Sequence, residues 1–68
     1  MRTTVIGAGS WGTALAIQLA RAGNKVCLWD HRPERAAQMQ TARENERYLK
    51  GIAFPESISV TADLREAI

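Results

Sequence analysis

The feature that most constrains the fold of this chain is a glycine-rich segment near its amino terminus. The segment is Gly7-Ala8-Gly9-Ser10-Trp11-Gly12, which spaces three glycines as G-x-G-x-x-G. A β-branched run at residues 3–6 precedes it and predicts a short buried strand, and an apolar pattern with helical spacing follows it. Because each glycine costs chain entropy on folding, three of them between a strand and a helix indicate a turn with a special backbone requirement.

The rest of the chain predicts further strands and helices in strict alternation. The predicted strands are Thr3–Ile6, Lys25–Trp29 and Ile58–Thr61, and the predicted helices run from Trp11 to Ala22, from Pro33 to about Asn45, and onward from Asp63. Pro33 suits the first turn of a helix, and Asp63 with Glu66 three residues later is typical of a helix cap. This order predicts an α/β fold in which a βαβαβ unit builds a parallel sheet.

The face that the first helix presents to the sheet is predicted from its apolar spacing. The residues that recur at helical intervals are Trp11, Ala14, Leu15, Ile17, Leu19 and Ala22. Gln18 and Arg21 fall on the other side, so the apolar set is expected to pack against the sheet.

The topology and the length together predict a partial domain. The chain has 68 residues, and strands in the order three, two, one with right-handed crossovers would place both connecting helices on one face of the sheet. The other face would be bare, although parallel sheets need cover on both faces. We therefore expect residues 1–68 to be the N-terminal half of a Rossmann-type doubly wound sheet, truncated before the rest of its domain and a C-terminal substrate domain. Expressed alone, this polypeptide is expected to aggregate or to remain largely unfolded.

Composition excludes several classes of protein. Nine Lys and Arg against seven Asp and Glu give a formal net charge of +2, and the charges are mixed along the chain, so no nucleic-acid partner is expected. A single cysteine and a single histidine allow neither an internal disulfide nor a four-ligand structural metal site. No run approaches the ~18 apolar residues of a membrane span, so we expect no membrane insertion and a reduced, cytoplasmic setting.

The three glycines have separate roles in a phosphate-binding turn. Gly7 permits the tight turn, Gly9 lets the backbone approach a pyrophosphate, and Gly12 lets the helix pack close to the strand. Unpaired amides at the helix start and the helix dipole make an anion site, to which Ser10 adds a hydroxyl donor. The segment therefore predicts binding of a dinucleotide, NAD or NADP. A glycine turn without a ligand is the simpler alternative.

Three polar residues at the end of the second strand bear on the choice of dinucleotide. Asp30 lies at the usual spacing of ~20 residues from the glycine segment, where a carboxylate accepts from the ribose 2′-hydroxyl and repels a 2′-phosphate. Arg32 has the opposite effect because it can pair with a 2′-phosphate or stack on adenine, and His31 offers a flat ring and a ring N–H. A solvated turn without ligand contacts is the alternative for His31 and Arg32.

Other residues have structural alternatives to a functional role. Trp11 either anchors the first helix against the sheet or walls a cofactor cleft. Cys27 lies on a strand expected to be buried, with no cation near it, so we expect a core residue and not a nucleophile. The charged residues Arg43, Glu44, Glu46 and Arg47 are expected to form a solvated helix end with weak pairing.

Several segments resemble one known family. They are the run from Val5 to Ala16, the strand segment Val26-Cys27-Leu28-Trp29, and the stretch Arg43-Glu44-Asn45 that leads to Tyr48-Leu49-Lys50-Gly51 and Phe54-Pro55. Together they resemble the start of bacterial NAD(P)-dependent glycerol-3-phosphate dehydrogenase, and the resemblance covers essentially the whole chain.

The resemblance implies an activity and a set of cofactor contacts. The activity is hydride transfer between nicotinamide and dihydroxyacetone phosphate, which gives sn-glycerol 3-phosphate for phospholipid synthesis. Ser10, Trp11 and His31 are implied to contact the cofactor, with Arg32 as a helper, in a homodimeric full-length enzyme with a small-molecule substrate. The catalytic lysines of that family lie in later sequence, so we expect no catalytic residue in this chain and no activity from the segment alone.

Two other functions remain open at the level of sequence. A non-catalytic nucleotide-binding regulatory module is one, because a fold does not fix a function. A flavoprotein start shares the glycine segment, although the run from Ser10 to Thr13 weighs against it. Within the leading hypothesis, we expect NADP(H) to be accepted at least as well as NAD(H).

Overall fold

A computed structural model describes residues 2–45, 47 and 50–67 of the chain. The elements in chain order are β1 (Arg2–Ile6), α1 (Ser10–Arg21), β2 (Lys25–Trp29), α2 (Pro33–Ala42), β3 (Ile58–Thr61) and α3 (Leu64–Ala67). The predicted alternation of strands and helices is confirmed. The bounds of β2 and β3 are those that the sequence predicted, whereas α2 ends three residues earlier than expected.

The three strands form a parallel sheet in the order β1-β2-β3, as predicted. In the middle of the sheet Val5 lies beside Leu28, and Leu28 lies beside Val60. These three side chains are buried on the same face, together with Val26 and Ile58. Because side chains alternate along a strand, the core occupies one face of the sheet, where α1 and α2 cover it.

The face of α1 that packs on the sheet differs from the predicted one. The buried residues of α1 are Thr13, Ala16, Ile17 and Ala20. Trp11, Ala14 and Ala22 are exposed, so the predicted apolar face is wrong at these three positions. It is right at Ile17, which is buried, and at Leu19, which is half-buried and packs against the core. The physical reason is close packing, because small side chains let the helix axis approach the sheet, and the sequence of α1 is apolar or small around most of its circumference.

Helix α2 ends at Ala42 because Arg43 leaves the helical conformation. Arg43 is the C-cap residue and has φ 59° and ψ 33°, which is left-handed backbone. Its guanidinium donates to the carbonyls of Pro55 (3.0 Å) and Ile58 (2.6 Å), and the Phe54 amide donates to the Arg43 carbonyl. The prediction of a solvated helix end is therefore wrong for Arg43. Glu44 accepts from the Gly51 amide at 2.9 Å, and Glu46 lies outside the described residues.

The face of the sheet opposite the core is partly covered by α3. Arg2 and Thr4 lie on this face because they alternate with Val5 along β1. The Arg2 guanidinium donates to the Glu66 carbonyl at 2.7 Å, and the Thr4 hydroxyl donates to the Ala67 carbonyl. The prediction that this face is bare is therefore wrong in part, because the short helix α3 covers some of it.

The start of α3 follows the predicted cap in part. The Asp63 carboxylate accepts from the Arg65 amide at 2.9 Å, as a helix cap does. Glu66 instead accepts from the Thr61 hydroxyl at 3.0 Å. Among the described residues, no helix is both long and apolar enough to span a membrane.

Candidate functional site

The glycine turn joins β1 to α1 at the carboxyl edge of the sheet. The Gly7 amide donates to the Trp29 carbonyl at 2.9 Å, which extends the pairing of β1 with β2 by one residue. Gly7 has φ 103°, a conformation that side chains disfavour. A Cβ on Gly12 would lie 2.0 Å from the Gly7 carbonyl oxygen. The turn therefore requires glycine at both positions, for conformation at Gly7 and for space at Gly12.

The amino end of α1 presents unpaired backbone donors. Gly9 is the N-cap residue, and its carbonyl accepts the first helical hydrogen bond, from the Thr13 amide at 2.9 Å. Within the described part of the chain, the amides of Ser10, Trp11 and Gly12 have no acceptor, and no side chain caps the helix. No acidic residue lies in the first turn to compete with an anion.

Gly9 itself leaves open space in front of these donors. It is exposed, and a Cβ built on it would meet no atom within 4 Å. Aligned amides, the positive end of the helix dipole and an unobstructed approach together fit an anion such as a diphosphate.

A buried polar cluster lies behind the turn. The Asn45 side-chain amide donates to the Ala8 carbonyl (2.8 Å) and to the Thr13 hydroxyl (2.9 Å), and its oxygen accepts from Arg35 (3.3 Å). Asn45 and Thr13 are both fully buried. The sequence analysis assigns neither residue to the site. The signal for Asn45 is its place in the Arg43-Glu44-Asn45 stretch, one of the segments that carry the family resemblance.

Asp30 follows β2 directly, and since β2 pairs with β1, it lies next to the glycine turn at the same edge of the sheet. Its amide donates to the Thr61 carbonyl, and its side chain is almost fully buried. One carboxylate oxygen, Oδ1, accepts from the Arg32 amide at 2.9 Å and from Arg32 Nε at 3.3 Å. The other oxygen, Oδ2, is buried and has no hydrogen-bond partner among the described residues.

The ionisation of Asp30 is set by opposing effects. Burial raises the pKa of this carboxyl, but the Arg32 amide and guanidinium and the charge of Arg35 outweigh burial and lower the pKa below its ordinary value. The carboxylate is therefore charged at neutral pH, and Arg32 neutralises it locally.

His31 and Arg32 are more accessible than Asp30. The His31 side chain is 69% exposed and that of Arg32 is 38% exposed. His31 Nδ1 lies 3.7 Å from Asp30 Oδ1, and its ring is tilted against Trp29 with centroids 6.3 Å apart. The structure thus gathers Asp30, His31 and Arg32 into one turn beside the glycine segment, with the His31 and Arg32 side chains toward solvent.

Trp11 lies in the first turn of α1 and is 78% exposed. The interpretation of Trp11 as an anchor against the sheet is therefore wrong, because an anchoring side chain would be buried. Ser10 is exposed beside it, at the helix terminus.

The remaining candidates have structural roles. Cys27 is buried in β2, as expected of a core residue. The Trp29 indole donates to the Ala62 carbonyl at 3.0 Å, and thereby ties β2 to the segment after β3. No group of three His, Cys, Asp or Glu side chains that could hold a metal ion occurs in residues 2–45, 47 and 50–67.

Comparison with known proteins places this geometry in a family. The sequence profile described as "NAD-dependent glycerol-3-phosphate dehydrogenase N-terminus" matches residues 2–68. The chain belongs to this family. The resemblance drawn from the glycine segment and the later motifs is thereby confirmed.

Individual members of the family agree with this assignment. A glycerol-3-phosphate dehydrogenase [NAD(P)+] of Hydrogenovibrio crunogenus is 61% identical over 61 residues, which cover 90% of this chain and 18% of that protein. One of Chlorobium phaeobacteroides is 56% identical over 68 residues, 100% of this chain and 20% of that protein. The crystal structure of glycerol-3-phosphate dehydrogenase from Coxiella burnetii superposes with a TM-score of 0.93 at 44% identity, covering 97% of this chain and 20% of that one. The chain spans about a fifth of the length of the relatives it matches.

Proposed function

We propose that this chain is the first part of a dinucleotide-binding domain in an enzyme that interconverts dihydroxyacetone phosphate and sn-glycerol 3-phosphate with NAD(P)H. Residues 1–68 bind the dinucleotide through the glycine turn, and the rest of the domain and a C-terminal substrate domain supply the chemistry. The reaction is a hydride transfer that the nicotinamide provides. This chain contributes no catalytic residue and is inactive alone.

One observation carries the proposal. The amides of Ser10, Trp11 and Gly12 lack acceptors in the described chain, and they lie at the start of a twelve-residue helix whose approach is kept open by Gly9. Such a terminus stabilises a diphosphate through both hydrogen bonding and the helix dipole. Gly7, Gly9, Ser10, Trp11 and Gly12 form the diphosphate side of the site in this proposal, and the exposed Trp11 walls the cleft.

The turn after β2 is proposed to hold the adenosine ribose and to accept NADP(H) at least as well as NAD(H). Asp30 is buried and paired with Arg32, so its negative charge is partly neutralised where a 2′-phosphate would lie. Arg32 retains two further guanidinium nitrogens for a phosphate, and His31 adds a ring N–H. Asp30 Oδ2 remains as an acceptor for a ribose hydroxyl when the turn adjusts.

The whole protein is proposed to be a cytoplasmic homodimer that acts on a small phosphorylated substrate. The names of the relatives support the substrate, and the described residues include no helix fit to span a membrane. Light scattering of the purified full-length gene product measures the oligomeric state, and a monomer would contradict the dimer without affecting the proposed reaction.

The proposed reaction is tested on the full-length gene product. We expect NADPH and NADH to bind, with enhancement of nucleotide fluorescence, and dihydroxyacetone phosphate to oxidise them. The same protein with Gly9→Ala should fold normally and lose most of its nucleotide affinity. Nucleotide binding without turnover would favour a regulatory module, and absence of binding would overturn the proposal altogether.

A further inference from the structure

The Arg43-Glu44-Asn45 stretch contains a residue that reaches the glycine turn from the far side. Asn45 is 0% exposed and therefore does not touch a bound nucleotide directly. Its side-chain nitrogen donates to the Ala8 carbonyl, 37 residues earlier in the chain, and to the Thr13 hydroxyl, 32 residues earlier. The Thr13 hydroxyl is also 3.3 Å from the Ala8 carbonyl. The three groups form one buried cluster on the inner side of the turn.

The orientation of the Asn45 amide is fixed by the chemistry of its neighbours. Its Oδ1 faces the Arg35 guanidinium, which can only donate, and its Nδ2 faces the Ala8 carbonyl oxygen, which can only accept. A reversed amide would place oxygen against oxygen and nitrogen against nitrogen. Asn45 is thus held as a donor toward the turn.

This contact determines which way one peptide of the turn faces. In a trans peptide the carbonyl and the amide N–H point in opposite directions. Because the carbonyl of Ala8 points inward at Asn45, the N–H of Gly9 in the same peptide points outward, away from the buried cluster. If this peptide rotated, a carbonyl oxygen would face the space that an anion needs, and its partial negative charge would repel a diphosphate.

We propose that Asn45 is a positioning residue for the dinucleotide, acting by holding the Ala8 carbonyl away from the diphosphate. This inference rests on the proposed function, because it requires the glycine turn to bind a diphosphate. Thr13 shares the role by accepting from Asn45 with its hydroxyl. Arg35 supports it by occupying the oxygen of the Asn45 amide.

The first experiment compares Asn45→Ala with Arg43→Ala in the full-length gene product. Arg43 belongs to the same stretch, but its side chain donates to the carbonyls of Pro55 and Ile58 and makes no described contact with the glycine turn. Asn45→Ala removes the shorter of the two hydrogen bonds to the buried Ala8 carbonyl and leaves the one from the Thr13 hydroxyl, so we expect the Kd and KM for NADPH to rise on the order of tenfold. The KM for dihydroxyacetone phosphate should stay unchanged. Arg43→Ala should lower the melting temperature and leave the NADPH Kd close to that of the unaltered protein.

If the role of Asn45 is purely structural, the result is different. Asn45→Ala would then lower the fraction of folded, active protein, and hence the apparent kcat, and the Kd of the folded fraction for NADPH would be unchanged. The variant Asn45→Asp sharpens the distinction, because a carboxylate keeps an oxygen for Arg35 and replaces the donor toward Ala8 with an acceptor. We expect Asn45→Asp to bind NADPH at least as weakly as Asn45→Ala.

A second pair of variants decides the matter if substitution of Asn45 prevents folding. Thr13→Ser keeps the hydroxyl, and Thr13→Val has nearly the same shape without it. We expect Thr13→Ser to bind NADPH nearly as well as the unaltered protein and Thr13→Val to bind several-fold more weakly. Equal affinities in this pair, or a normal Kd for a folded Asn45→Ala, would overturn the inference alone. Failure of the unaltered protein to bind NADPH would overturn the proposed function and the inference with it.

Discussion

At the level of single residues, the glycines of the turn are required for different physical reasons. Gly12 has no room for a Cβ, because the Gly7 carbonyl oxygen would lie 2.0 Å away. Gly9 has φ −72° and open space around it, so any residue could adopt its conformation. Neither the backbone conformation nor the packing of the protein itself requires glycine at position 9. Close approach of a ligand to the backbone would require it.

We therefore expect Gly12→Ala and Gly9→Ala to separate stability from binding. Gly12→Ala should destabilise the full-length protein by about 1–3 kcal/mol, the usual cost of overpacking, because helix and turn must move apart. Gly9→Ala should leave the melting temperature unchanged and weaken nucleotide binding. Thermal unfolding with and without NADPH measures both effects. Equal loss of stability in the two variants would contradict this assignment of roles.

Arg32 gives a prediction about cofactor choice. Replacing Arg32 with Ala removes the charged donor that we propose for the 2′-phosphate and leaves the Asp30 carboxylate less neutralised. The KM for NADPH should rise about tenfold, the equivalent of one charge-assisted hydrogen bond, and the KM for NADH should change less. Arg32→Lys, which keeps the charge without the planar guanidinium, serves as the control. Its KM for NADPH should lie between that of the unaltered protein and that of Arg32→Ala. Equal effects on the two nucleotides would remove Arg32 from this role.

The lowered pKa of Asp30 predicts how stability depends on pH. Below its ordinary pKa of 3.8 the unfolded chain protonates this carboxyl while the folded chain still holds it charged. The unfolded state then binds more protons than the folded state. The contribution of Asp30 to the free energy of unfolding is therefore complete well above pH 3.8, the ordinary pKa, and is lost as the pH falls through the pKa of the folded state. We expect Asp30→Asn to cost roughly 1–2 kcal/mol at pH 7 and progressively less below pH 4. Unfolding curves from pH 7 to 3 that stay parallel for the two proteins would contradict this.

At the level of elements, the end of α2 protects the outer edge of the sheet. The Val60 amide donates to the Gln40 side chain at 2.8 Å, and the Ile58 carbonyl accepts from Arg43. Because β3 is the last strand on this side of the described sheet, these groups would otherwise be open to another strand. The left-handed backbone of Arg43 is what turns its side chain toward β3 and ends the helix.

Arg43→Ala is the corresponding prediction. The variant loses hydrogen bonds to Gln40, Pro55 and Ile58, and we expect the free energy of unfolding to fall by about 2–3 kcal/mol. Arg65→Ala is a matched control, because Arg65 is exposed and its side chain makes no described hydrogen bond. Denaturant titration of the full-length protein measures both. A loss for Arg43→Ala no larger than that for Arg65→Ala would show that the cap adds nothing to stability.

At the level of the whole molecule, the two faces of the sheet differ in their cover. The core face is closed by α1 and α2. The other face has α3 over part of it and leaves Ile6 61% exposed, and β1 lies at an edge of the described sheet. A parallel sheet normally has both faces covered, so the remaining apolar surface and the open edge favour association.

We accordingly expect a polypeptide limited to residues 1–68 to aggregate or to remain largely unfolded. Ordering the chain costs about 1.5 kcal/mol per residue, and a core that lies mainly on one face of the sheet buries little apolar surface to offset this cost. Size-exclusion chromatography and thermal unfolding followed by circular dichroism test this expectation. A soluble monomer with a cooperative transition would contradict it.

The sequence alone determined the alternation of elements, the parallel order of the strands and the glycine turn. The alternation and the turn follow from local rules, since β-branched runs, caps and glycine spacing act over a few residues. For strands in sequential order, crossover handedness then places both connecting helices on one face of the sheet. The buried face of α1, the early end of α2, the cover supplied by α3 and the cluster around Asn45 were decided by the tertiary structure. Each depends on contacts between distant residues, as between Asn45 and Ala8, and no local pattern specifies which partner a side chain will meet.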